Sequence, residues 1–122
     1  MAKFRVMIVK KNGKPVGVRA AAINGRVIII ALQDEPQQMS WHDAVKIGIP
    51  TKEEWMAIAE NLDAVNEALV RAGGAPLEKI WYWSSSEYDN LWAWGSSLGR
   101  SYGLGNLGTK DYDSYVRPVL AL

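Results

Sequence analysis

Two Asn-Gly pairs, Asn12-Gly13 and Asn24-Gly25, limit the folds open to this chain more than any other feature. Each follows or precedes a run rich in β-branched residues, "FRVMIV" (Phe4 to Val9) and "RVIIIAL" (Arg26 to Leu32). Asn-Gly supplies the positive φ angles that a two-residue hairpin requires, so the first third reads as a three-stranded meander. Val27 to Leu32 is apolar without alternation, which predicts a strand covered on both faces.

The middle third changes period. Ser40 is placed to cap a short helix "WHDAVKI", with Asp43 in its first turn and Gly48 to end it. In "PTKEEW", Thr51 at the N-cap and Glu54 three residues later make a capping box, after which Trp55, Ile58, Ala59, Leu62, Val65 and Leu69 recur at helical spacing. That stripe faces the sheet, with Trp41 and Trp55 as core anchors. The stretch runs as one helix or is broken in two at Asn61 and Asp63, and Gly73-Gly74 stops it in either case.

The last third alternates aromatic or aliphatic with small residues in "IWYWSSSEY" (Ile80 to Tyr88) and "LWAWGSSL" (Leu91 to Leu98), the pattern of half-buried strands. The chain closes with "YVRPVLAL" (Tyr115 to Leu122), read as a final strand in which Pro118 needs an edge or a bulge. Between them, within "GSSLGRSYGLGNLGTKDYDSY" (Gly95 to Tyr115), lie about fifteen residues with no helical or strand period. A loop of that length in a small domain serves function or is disordered. The regular punctuation by Leu98, Tyr102, Leu104, Leu107, Tyr112 and Tyr115 favours function, with Trp92, Trp94 and Tyr115 as buried fasteners.

Composition narrows the chemistry. At 122 residues, 48% hydrophobic and 22% charged, the chain is of one-domain size and has enough apolar material for a core. Net charge is +1 and no nucleic-acid footprint stands out, so nucleic acid is not the expected partner. Absence of cysteine removes disulfides, thiolate metal sites and cysteine nucleophiles together. The N-terminus is too charged for a signal peptide and no run is long enough to span a bilayer, so no membrane insertion is expected. His42 has no nucleophile or carboxylate pair beside it except Asp43. The "WSSSEY" serines lack a G-x-S-x-G context. Asp111 and Asp113 alone are a poor calcium set, and there is no G-x-G-x-x-G or Walker lysine. No catalytic residue, metal or cofactor is expected.

The order "MSWHDA", "GIPTKEEW", "WYWSSSEYDNLWAW", a glycine-rich stretch and "KDYDSYVRPVLAL" resembles the C-type-lectin-fold proteins of bacteria and phages. Within them it is most similar to the variable proteins diversified by diversity-generating retroelements, over roughly Val27 to Leu122. The resemblance implies an α+β, C-type lectin-like fold: a mixed or antiparallel sheet with two helices, paired N- and C-terminal strands and a long irregular ligand-binding loop region. It implies one domain, residues 1–80 as scaffold and 81–122 as variable region plus terminal strand. Carried over residue by residue, the ligand-binding positions are Asp89, Asn90, Leu91, Gly95, Ser97, Arg100, Tyr102, Leu104, Asn106, Leu107, Thr109, Asp111, Tyr112, Asp113 and Ser114.

The implied role is a non-enzymatic protein that binds a protein or glycan ligand on a cell surface, displayed on a bacterial surface or phage particle; its oligomeric state is not set. The calcium motifs E-P-N, Q-P-D and W-N-D of animal lectins are absent. Formylglycine-generating enzymes share the fold, but their chemistry needs cysteines. A non-diversified, calcium-independent glycan-binding or adhesive module of the same fold is the alternative, and a scaffold domain for particle assembly a third. In the retroelement family diversified positions become NNC codons, which cannot specify Glu, Lys, Gln, Met or Trp. Residues 1–87 hold 25 of those five types and residues 95–122 hold one, Lys110, where the earlier frequency gives about eight.

Overall fold

The computed structural model describes residues 4–98 and 106–121, so Arg100, Tyr102 and Leu104 of the expected site lie outside the described residues. Both Asn-Gly pairs turn the chain at positive φ, with Asn12 at 53°, Gly13 at 77°, Asn24 at 51° and Gly25 at 75°. This is type I′ geometry, whose twist matches the flanking strands. Strands β1 (Met7–Lys11), β2 (Lys14–Ile23) and β3 (Arg26–Ala31) form the antiparallel meander β1-β2-β3. β3 alternates more than its composition suggests. Ile28 and Ile30 are buried, Val27 is exposed and Ile29 is half-buried.

Three helices follow. α1 (Trp41–Ile47) starts at Ser40, whose hydroxyl accepts from Asp43 N, and stops at Gly48 with φ 96°. α2 (Lys52–Glu60) opens on the capping box: Thr51 Oγ1 accepts from Glu54 N at 3.1 Å and Glu54 Oε1 from Thr51 N at 2.9 Å. Two orphan amides are satisfied reciprocally. The helical stripe breaks at Asn61, which donates its side-chain amide to Ala20 O, and resumes as α3 (Leu62–Arg71). Trp55, Ile58, Val65 and Leu69 pack with Val18, Ala20, Ala21, Ile28 and Ile30 in the larger core.

The second sheet comprises β4 (Trp81–Glu87), β5 (Trp92–Ser97) and β6 (Leu107–Thr109), antiparallel in that order. Its smaller core joins Trp83 and Ala93 to Trp41, Ala44, Ile49 and Val116, with Trp81 packed against it. Indole N–H groups find carbonyls: Trp41 Nε1 donates to Ser84 O, Trp55 Nε1 to Trp83 O and Trp83 Nε1 to Met39 O. The three serines of "WSSSEY" are also structural. Ser84 Oγ donates to Trp94 O, Ser85 N donates to Pro50 O, and Ser86 Oγ accepts from Lys52 N, tying β4 to the start of α2. The described residues are thus α+β, built from two small antiparallel sheets and three helices.

Residues 115–121 correct the expected final strand. They make isolated bridges, Tyr82 with Tyr115 and Ile30 with Val119, and run between the two sheets. Trp83 N donates to Tyr115 O on one side; Ala31 N donates to Pro118 O and Leu120 N to Ile29 O on the other. This segment therefore lies along β3, the strand at which the resemblance begins. Pro118 is accommodated because it contributes only its carbonyl.

Arg117 is fully buried at this seam. Its Nε donates to Asp34 Oδ1 at 2.7 Å, Nη1 to Ala31 O at 2.9 Å, and Nη2 to Ala75 O at 3.0 Å and Pro76 O at 3.2 Å. Asp34 Oδ2 accepts from the Tyr82 hydroxyl at 3.0 Å, and that hydroxyl accepts from Glu78 N. Burial is the main reason the Tyr82 phenol is pushed well above the ordinary tyrosine range, Asp34 adding to the shift and the hydrogen bond from Glu78 opposing it. The unfolded chain releases that proton near pH 10 while the native state keeps it, so the Tyr82 contribution to stability is constant below about pH 10 and falls above it by up to about 1.4 kcal/mol per pH unit. Urea melts from pH 9 to 11 should show this slope, and Tyr82→Phe should flatten it; an unchanged slope in the variant would assign the alkaline loss to other groups.

Candidate functional site

Most of the exposed residues of the expected site sit at the end of the second sheet where β4 turns into β5. Asp89 builds that turn: its Oδ1 accepts from Leu91 N at 2.9 Å and Trp92 N at 2.8 Å, while Tyr88 N and Asp89 N both donate to Trp92 O. Asn90 and Leu91 occupy the tip, Leu91 being 70% exposed. β6 returns beside it, with Thr109 paired to Trp92 and Lys110 N donating to Leu91 O at 2.9 Å. Lys110 O accepts from Trp41 N, which brings α1 and His42 to the rim. Together His42, Asn90, Leu91, Trp92, Thr109, Lys110 and Asp111 surround an open depression of about 330 Å³.

Four expected residues, Asn90, Leu91, Thr109 and Asp111, are therefore brought together. Tyr112 stands beside them 60% exposed, its N–H donating to Thr109 O. Asp113 lies in a neighbouring depression of about 480 Å³ with Asp34, Glu35, Gln37, Gln38 and Tyr115. Ser97 and Leu107 are half-buried further along β5 and β6, and Asn106 is exposed, its carbonyl accepting from Gly95 N.

Two expected positions are not on the surface. Gly95 is buried beneath Trp81, whose ring atoms Cζ2 and Cε2 would stand 2.0 and 2.1 Å from any Cβ there. Ser114 is 3% exposed, and its hydroxyl donates to Trp81 O at 3.0 Å. Period-2 alternation sends Gly95 to the side that carries Ala93 and Trp83, so no side chain can be displayed from it. The expected fasteners are corrected as well. Trp92 and Tyr115 are each 38% exposed and Trp94 is half-buried, whereas Trp81, Tyr82 and Trp83 hold the sheet.

Lys110 is the fastener that the aromatic pattern did not reveal. It is 5% exposed, pairs with the Glu87 carboxylate and lies over the Trp41 ring at 4.6 Å. A signal for it was present, since it is the single residue of 95–122 that NNC codons cannot specify. The other cation close by, Lys52, is held over the Trp94 ring at 4.0 Å, and Trp94 meets Tyr88 edge-on at 5.7 Å. The exposed ionisable groups around the turn are thus chiefly Asp89, Asp111 and Asp113, among exposed Tyr88, Leu91, Trp92 and Tyr112. Aromatic and small polar groups on a firm support suit contact with a macromolecular surface. Among the described residues no group of three or more His, Cys, Asp or Glu side chains is placed to hold a metal ion.

The chain matches no protein-family model, no curated protein and no solved structure.

Proposed function

We propose that this chain is a C-type-lectin-like binding domain without enzymatic activity. In this reading the face around Asn90, Leu91, Thr109, Asp111 and Tyr112 contacts a protein ligand and is diversified by a retroelement. One observation carries it. The backbone that presents these residues is held by bonds indifferent to their side chains: Lys110 N to Leu91 O, Trp41 N to Lys110 O and Tyr112 N to Thr109 O. Substitution there alters the surface presented without removing a support. Asp89 is the exception, because its carboxylate caps the turn; Asn, Ser or Thr can take over that duty.

The proposal predicts that the DNA beside this gene encodes a reverse transcriptase and carries an imperfect repeat of the segment for residues 89–114, differing at adenines. Sequencing the flanks of several isolates tests it; identical segments in all of them, with no such repeat, would leave the second reading. That reading is a fixed glycan-binding module, favoured by Trp92, whose part-exposed ring shares a depression with Asn90, Thr109 and Asp111.

A further inference from the structure

The net charge of +1 conceals a division along the chain. Residues 1–33 hold seven of the 14 lysines and arginines and none of the 13 acidic residues. Three of those cations, Lys10, Lys11 and Lys14, frame the Asn12-Gly13 turn in "KKNGK", with Lys11 paired directly to Lys14 across the hairpin. All three are exposed, and among the described residues none of them forms an ion pair. Arg5 is exposed and unpaired as well, and Met7, 49% exposed, stands between it and the lysines on β1. By contrast Arg26, at the far hairpin, is paired with Glu54 at 3.3 Å.

This cationic tip faces away from the candidate site. β2 runs ten residues from Lys14 to Ile23, about 30 Å in an extended strand. At its far end Ile23, Asn24 and Arg26 share a depression with Thr51, Glu53, Glu54 and Ser86, immediately before the β4–β5 turn. The lysine hairpin therefore lies at one end of the first sheet, and the β4–β5 turn of the second sheet lies toward the other. Lysines on an edge strand guard against strand addition. That duty accounts for Lys10 and Lys11 on β1, but not for Lys14 on the inner strand or for the lack of any acid through residue 33.

We infer that the β1–β2 hairpin is a docking surface for the anionic headgroups of a phospholipid bilayer, lying on the membrane while the opposite face points outward. Strongly hydrated ammonium groups on a short hairpin reach headgroup phosphates without inserting, and Arg19 and exposed Met7, paired further along the same two strands, extend the surface. Nucleic acid is the poorer occupant, since the described part of this surface has no exposed aromatic for base stacking and no helix for a groove. The inference needs no diversified face, so its test is independent of the reading above.

The test is sedimentation of the full chain with vesicles of phosphatidylglycerol or of phosphatidylcholine. Binding to phosphatidylglycerol alone is expected, weakening as salt shortens the Debye length below about 10 Å. Replacing all three lysines (K10Q/K11Q/K14Q) should lower the partition coefficient about a hundredfold, from about fivefold per lysine. A control with two exposed lysines elsewhere exchanged (K46Q/K79Q) should change it less than tenfold, and circular dichroism melts should show all three chains folded. No binding to phosphatidylglycerol at low salt, an equal loss in the control, or retention on heparin or duplex DNA without vesicle binding would each overturn the inference.

Discussion

Replacing Arg117 by methionine is expected to lower stability by about 3–5 kcal/mol, the range found when one partner of a buried pair is removed. For a domain of this size that is a fall of about 10–20 °C in Tm. The guanidinium satisfies Asp34 and the carbonyls of Ala31, Ala75 and Pro76 at once, so methionine strands acceptors on two separate segments, 31–34 and 75–76. Arg117→Lys should recover less than half of the loss. A single ammonium on a flexible stem can reach Asp34 but lacks the planar fork needed for the carbonyls on both sides. Differential scanning calorimetry of the two variants checks this; a methionine variant within 2–3 °C of the parent would show that the seam is held by the apolar contacts of Val116 and Val119 instead.

Gly95→Ala is expected to cost about 3 kcal/mol, at the upper end for overpacking. The added Cβ falls inside the Trp81 ring, which is itself pinned edge-on to Trp83 at 4.7 Å and against Gly108. Because the clash is with one side chain, Trp81→Leu should relieve it: the double variant should be clearly more stable than the sum of the two single losses predicts. Strict additivity in urea melts would mean that the strain at Gly95 lies elsewhere. The result also bears on which positions can vary, since a site that tolerates no Cβ cannot present one to a ligand.

The elements legible in the sequence were those whose cause is local. Asn12-Gly13, Asn24-Gly25, Ser40 and the Thr51–Glu54 box each fix a backbone conformation within four residues, and each appears in the structure as read. Features that depend on distant partners were not legible. Arg117 looks like any arginine until Asp34, Ala31 and the 75–76 turn converge on it. The "YVRPVLAL" run has strand composition, yet its hydrogen bonds are divided between two sheets, so it never completes a ladder with either. Within the candidate site the β4–β5 turn falls between two legible strand patterns, but β6 lies in a stretch that reads without strand period and is held by its pairing with β5, and the burial of Gly95 and Ser114 follows from one neighbour, Trp81, that no local pattern connects to them.

The proposed function requires energetic separation of the framework from the outer face. It is tested most directly by randomising Asn90, Leu91, Thr109, Asp111, Tyr112 and Asp113 together in a displayed library and measuring the fraction of members that resist proteolysis as the parent does. Separation predicts that most members keep the parent's protection, since none of these side chains serves the core. Loss of protection in most of the library would show that the face helps to hold the fold and is not free to change.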